Sequence, residues 1–116
     1  LVDAPCSGWG VMGRKADIRW QAHESIADLV SLQEKALDMA AEFVKPDGFL
    51  IYSTCTMNPL ENDDQITNFL KKNNKFELVK ANGKVPDECI NQGMYRSIPF
   101  KHNIDGAFAA KLRRIK

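Results

Sequence analysis

The chain has 116 residues, 44% of them hydrophobic and 27% charged, with a formal net charge of +1. That composition is ordinary for a soluble globular protein, and the length suits one domain or part of one. It excludes a membrane-spanning helix, since no apolar run approaches the roughly 20 residues that crossing a bilayer needs, and it shows no signal peptide. The near-neutral charge argues neither for nor against a nucleic-acid partner, because a basic patch can exist without a basic total. The three cysteines are an odd number without the spacing of a disulfide framework or a zinc site, which points to a reducing cytoplasm.

Residues 1 to 5 read as a short strand running into Cys6. The chain thus enters what looks like an interior strand at Leu1, as a cut through a larger parallel sheet would, and a fragment is expected. Cys6 to Gly13 is a loop, in which Gly8, Gly10 and Gly13 permit positive φ and close backbone approach to a ligand. Arg14, Lys15 and Arg19 form a basic cluster flanked by Trp9 and Trp20. It is either a solvated turn or a contact for phosphates and bases.

Ser25 is placed to cap a helix in which Ile26, Leu29, Val30, Gln33, Leu37, Ala40, Ala41 and Val44 fall at helical spacing. Only Gln33 breaks the apolar stripe. The turn at Lys45-Pro46-Asp47-Gly48 uses proline to preset φ and glycine to relieve strain, and a strand then runs from Gly48 to Cys55. Asn58 and Glu61 form a capping-box pattern for a second helix over about 59 to 72, which Pro59 opens. Asp63 and Asp64 near its start and Lys71 and Lys72 at its end complement the helix dipole. This acidic cluster reads as capping rather than metal binding.

Residues 76 to 80 make a further strand. Residues 81 to 106, with Gly83, Pro86, Gly93 and Pro99, show no period and read as a long loop of a functional kind. Phe108, Ala110 and Leu112 alternate, so the chain closes on a strand, with its terminal basic residues read as a solvated tail. The order β-α-β-α-β-loop-β with helix-length crossovers predicts an α/β fold on a mostly parallel sheet.

Cys55 stands where a buried strand passes into a strand-to-helix loop, the place where open α/β sheets put their ligands. Asp3, Cys6 and Cys55 come from the ends of successive strands, and such strands are neighbours about two-thirds of the time. An acid and two thiols together suit nucleophilic chemistry, in which a thiolate attacks an electrophile and a proton donor takes up the developing charge. The plain alternative is an inert buried cysteine. Spacing alone leaves the substrate open.

Asp3-Ala4-Pro5-Cys6-Ser7-Gly8, Asp17-Ile18-Arg19-Trp20, and Tyr52-Ser53-Thr54-Cys55 with Pro59 and Glu61-Asn62 resemble the later motifs of the RNA 5-methylcytosine methyltransferases of the Sun/NOP2 family, above all its bacterial ribosomal-RNA members. Arg96, Pro99, His102, Asp105-Gly106 and Phe108 are similar to that family's closing motif. The resemblance spans nearly the whole chain, and the double-cysteine signature is highly specific. It implies the C-terminal part of a Rossmann-like catalytic domain that uses S-adenosylmethionine, spanning residues 1–116. By the same resemblance Cys55 is the nucleophile that adds to carbon 6 of cytosine. Asp3 contacts the edge of the base, Cys6 serves release of the methylated RNA, and Pro5 shapes the loop beside the cofactor and the flipped-out base. Arg14, Lys15 and Arg19 then become RNA contacts.

Two departures matter. The family's glycine-rich cofactor motif is absent from these residues, and so is the N-terminal RNA-binding region of its bacterial members. The segment alone is therefore expected to be inactive, to bind S-adenosylmethionine weakly or not at all, and to self-associate through an exposed sheet edge. Other readings stay open on the residues. A DNA cytosine methyltransferase would use Cys6, in Pro5-Cys6, as nucleophile and leave Cys55 unexplained. A non-catalytic RNA-binding or assembly module would need neither cysteine. A hydrolase pairing Cys55 with His23 or His102 has only the presence of histidine behind it, and a zinc site lacks ligand spacing.

Overall fold

Strand β1 (Val2–Asp3) and strand β2 (Phe49–Thr54) run parallel, with Val2 opposite Tyr52 and Asp3 opposite Ser53. The structure is a computed structural model and describes residues 1–8, 26–82, 85–98 and 105–116. Arg14, Lys15, Arg19, both tryptophans, Ser25, His23, Gly83, Pro99 and His102 lie outside the described residues. After β1 come helix α1 (Ile26–Glu42), β2, a 3-10 turn at Pro59–Glu61, helix α2 (Asp63–Lys72) and strand β3 (Phe76–Val79). A second 3-10 turn, Asp87–Cys89, leads into β4 (Ile90–Asn91), β5 (Met94–Ser97) and the closing strand β6 (Ala107–Arg114).

The α/β expectation stands, but the sheet is mixed rather than mostly parallel. Among the described residues only β1 and β2 pair in parallel; β6 pairs antiparallel with β2, β3 and β5, and β4 with β5. The reason lies in the connections. Helical crossovers deliver β1, β2 and β3 in one sense, because a parallel neighbour needs a long return path. The last strand instead enters from the β4–β5 side and slots between β2 and β3 in the opposite sense. One edge of β6 is covered by β2 along Phe108 to Arg113, and the other is shared by β5 at its start and β3 at its end.

The period of two decides which residues are buried. Leu50, Tyr52 and Thr54 of β2 and Phe108, Ala110 and Leu112 of β6 point to the helix-covered face. There they meet Leu37 and Ala41 of α1 and Ile66 and Phe69 of α2 in one core. Phe69 stands edge-on to Phe76 and Tyr52 edge-on to Phe108, with ring centroids 5.4 and 6.3 Å apart. On the other face of β2, Phe49 is 52% exposed with the Lys111 ammonium 4.2 Å above its ring. β1 is the outermost strand of the path, and Leu1 and Phe43 are exposed apolar residues beside it.

Three local expectations change. Residues 81–106 are not one long loop: a β4–β5 hairpin forms there, turning through Gln92 at φ 53° and Gly93 at φ 81°. Two left-handed central residues make the turn whose twist suits a hairpin, and Gln-Gly is a weaker signal of it than Asn-Gly. At the α1–β2 turn the positive φ falls on Asp47, while Gly48 is needed for space, since a Cβ there would lie 2.8 Å from the Lys45 carbonyl oxygen. The terminal arginines are no solvated tail. Arg113 pairs with Asp47 at 2.7 Å, and Arg114 donates to the Val44 carbonyl at 2.6 Å, so β6 is stitched to that turn.

Phe108 is 1% exposed at the centre of this sheet, so Phe108→Ala is expected to lower stability by about 3–5 kcal/mol through lost burial and an unfilled cavity. Urea unfolding of the full-length protein measures it. A loss below about 1 kcal/mol would mean that the core closes over the gap.

Candidate active site

Cys55 is the first residue past β2, and Cys6 follows β1 by three residues. The parallel pairing continues beyond β1 through the Ala4 amide, which donates to the Ser53 carbonyl at 2.9 Å. The Pro5 carbonyl then accepts from Gln33 Nε2 at 2.8 Å, which pins the loop to α1. As a result the two sulfur atoms lie 3.0 Å apart, and the Cys55 amide points at Cys6 Sγ at 3.4 Å. Both thiols are free and half-buried. Asp3 is exposed beside them and accepts from Ser53 Oγ at 3.4 Å. Pro5 is exposed too, whereas Cys89 is buried in the turn before β4. The fold thus brings Asp3, Pro5, Cys6 and Cys55 together at the carboxyl ends of the two parallel strands. Arg14, Lys15 and Arg19 lie outside the described residues.

Beneath the thiols is a polar network that the sequence did not disclose. Glu61 is fully buried, and its carboxylate accepts from the Ser7 amide at 2.9 Å, Ser7 Oγ at 2.8 Å and Gln33 Nε2 at 3.1 Å. Ser7 Oγ also lies 2.7 Å from Thr56 Oγ1. Since the Ser7 hydroxyl proton is committed to Glu61, Thr56 is the donor of that bond. Ser7 and Thr56 are the residues directly after Cys6 and Cys55. Behind them the Tyr52 hydroxyl donates to the Glu61 carbonyl at 2.6 Å, and Thr54 Oγ1 donates to Asn62 Oδ1 at 2.5 Å. Asn62 Nδ2 returns a bond to the Thr56 carbonyl at 2.9 Å, and Gln65 Nε2 donates to Gln33 Oε1 at 3.2 Å.

The capping box is therefore half realised. Asn58 Oδ1 does accept from the Leu60 amide at 3.1 Å, but Glu61 turns away from the helix start into the core. Buried polar groups must be paired, so a carboxylate there needs donors from several elements. Gln33 was the signal in the sequence: a polar residue on an otherwise apolar stripe is buried to meet a polar partner. Arg96, from the tail motif, pairs with Asp63 at the start of α2 and sits over the Phe108 ring, 5.9 Å from its centroid.

Burial, helped by the Cys6 thiol and the nearby Asp3 carboxylate, pushes the Cys55 thiol up to about 12. Burial also raises the Tyr52 hydroxyl, with Glu61 adding to the effect. The resting Cys55 is thus a protonated thiol beside a second thiol. Asp3 and Pro5 are the exposed side chains at this strand end. Among the described residues no group of three or more histidine, cysteine or acidic side chains could hold a metal ion.

A family model described as "16S rRNA methyltransferase RsmB/F" matches residues 1–113. The chain is 40% identical to the probable ribosomal RNA small subunit methyltransferase B of Synechocystis sp., over 98% of its own length and 26% of the relative's. It spans about a quarter of the curated relatives that it matches. Among solved structures, NSun6 from Pyrococcus horikoshii with SFG superimposes with a TM-score of 0.80 at 29% identity, covering 99% of this chain and 29% of that one. A methyltransferase homolog protein from the same organism gives 0.74 at 30% identity, covering 97% and 37%. The mixed sheet and its two helices share the Rossmann-like architecture of these methyltransferases.

Because the Cys55 thiol holds its proton into the alkaline range, its alkylation by iodoacetamide in the full-length protein should be slow at neutral pH. The rate should rise about tenfold per pH unit as the thiolate forms. Cys6→Ala removes a neighbouring sulfur that favours the thiol form of Cys55, so the profile should move to lower pH. Peptide mass spectrometry reads both. An ordinary thiol midpoint in the wild type would contradict the effect of burial.

Proposed function

The chain belongs to the RsmB/F family of 16S rRNA methyltransferases, and on that premise we propose that it forms part of an enzyme that methylates carbon 5 of a cytosine in small-subunit ribosomal RNA through a covalent adduct on Cys55. The supporting observation is the meeting of two thiols, 3.0 Å apart, beside an exposed carboxylate at the ends of two parallel strands. The substrate class comes from the family, whose curated members similar to this chain are named for ribosomal RNA. Such an enzyme works in the cytoplasm, where its RNA is.

In this reading Cys55 loses its proton when substrate arrives, and its thiolate adds to carbon 6 of the flipped-out base. The electron pair of the carbon 5–carbon 6 double bond moves toward carbon 5, and the proton that Cys55 gave up settles on the ring edge beside Asp3. S-adenosylmethionine, when bound, supplies the electrophilic methyl group that carbon 5 takes up. By the family resemblance Asp3 and Pro5 would border it, where an acid would suit its cationic end; a similar protein was solved with SFG, an analogue of it. The carbon 5 proton then leaves to solvent, the double bond re-forms as the carbon–sulfur bond breaks, and the ring-edge proton returns to the departing Cys55 thiolate. Cys6, in contact with Cys55, serves this elimination. Two steps replace one difficult one, and each has its own group. Arg14, Lys15 and Arg19 would be the RNA contacts.

The test is a denaturing gel of the full-length protein mixed with its RNA and S-adenosylmethionine. Cys6→Ala should accumulate a covalent protein–RNA band, and Cys55→Ala should give none and lose methyl transfer. The reverse pattern would make Cys6 the nucleophile. Full methyl transfer with both cysteines replaced would end the covalent reading. For residues 1–116 alone, which carry no glycine-rich cofactor motif, calorimetric titration with S-adenosylmethionine should give no micromolar binding; such binding would show that the segment holds the cofactor unaided.

A further inference from the structure

We propose that Glu61 is the positioning residue that sets the separation of the two thiols, by clamping together the loops that carry them. This rests on the two-cysteine reading above and extends it to a residue outside the reacting centre. The geometry is specific. One carboxylate takes the backbone amide and the hydroxyl of Ser7, directly after Cys6. Ser7 in turn accepts from Thr56, directly after Cys55. Gln33 Nε2 bonds Glu61 and the Pro5 carbonyl together, so the residue before Cys6 is held by the same group of atoms. Each cysteine loop is therefore fixed next to its thiol, and the two fixings meet at Glu61.

The strands alone do not supply this. Their parallel pairing ends at Asp3 and Ser53 with one further bond at Ala4, which leaves Cys6 on irregular backbone. Reaction and release demand two sulfur atoms at a set distance, and an error of about 1 Å in such a placement can cost on the order of 100-fold in rate.

The experiment compares Glu61→Ala, Glu61→Gln and Ser7→Ala in the full-length protein, with thermal unfolding as the control for folding. Diamide measures the separation without reference to methyl transfer. The two thiols give up two protons and two electrons to its nitrogen–nitrogen double bond, a Cys6–Cys55 disulfide forms, and diamide becomes the hydrazine. Glu61→Ala removes the acceptor of three hydrogen bonds, so disulfide formation and kcat should both fall roughly tenfold or more, with the KM for RNA within about twofold. Glu61→Gln should rescue both. Its amide oxygen still accepts from the Ser7 amide and Gln33, and its NH2 can donate to a Ser7 hydroxyl that rotates toward Thr56. Should Glu61→Ala not fold, Ser7→Ala carries the test, because it removes the hydroxyl bridge from a half-exposed position; both rates should fall about threefold. Wild-type disulfide formation in the folded variant overturns the proposal, and so does slowed disulfide formation with wild-type kcat. If Cys55→Ala retains methyl transfer, the covalent reading fails while the diamide result stands, so the two failures are told apart.

Discussion

A single buried carboxylate holds the working end of this fold together. Glu61 has no exposed surface, and its carboxylate accepts three hydrogen bonds from two separate parts of the chain. A carboxylate withdrawn from water without partners would be strongly destabilising. Three donors at 2.8 to 3.1 Å offset that, and each is useful only if the loop or helix that carries it is in place. The energetic demand of one group therefore specifies the relative placement of the Cys6 loop, α1 and the start of α2.

The rest of the frame brings those three parts within reach. β1 and β2 lie side by side in parallel, so their carboxyl ends open at the same level. The inward residues of β2 lock it to the core and to the 59–62 segment. Leu50 and Tyr52 are packed under α1 and α2, and the Tyr52 and Thr54 hydroxyls reach Glu61 and Asn62. The outward Ser53 meets Asp3 instead. Strand alternation thus sorts side chains into those that build the support and those that stand on the opposite face beside Asp3. β6, inserted between β2 and β3, gives β2 a hydrogen-bonded neighbour on the edge opposite β1, so the strand that ends at Cys55 is held from both sides.

The site also has a chemical logic. Holding Cys55 partly out of water keeps it as a thiol at rest, where it is a poor nucleophile and safe from side reactions. A second sulfur in contact with it strengthens that effect.

Much of this was legible in the residues. The stripe along α1, the Asn58 cap, the alternation of Phe108, Ala110 and Leu112, and the strand endings at Cys6 and Cys55 all come from local rules, since period, cap chemistry and turn residues act over a few neighbours. They determined an α/β chain with an acid and two thiols at strand ends, and the double-cysteine motif named its family. What only the tertiary structure decided depends on distant partners. The direction of β6, the Gln92-Gly93 hairpin and the anchoring of Arg113 and Arg114 to the α1–β2 turn come from contacts with elements far away in sequence. Above all, Glu61 reads locally as half of a capping box, and it became the hub of the site because Ser7 and Gln33, 54 and 28 residues distant, offer donors that only the assembled core brings to it.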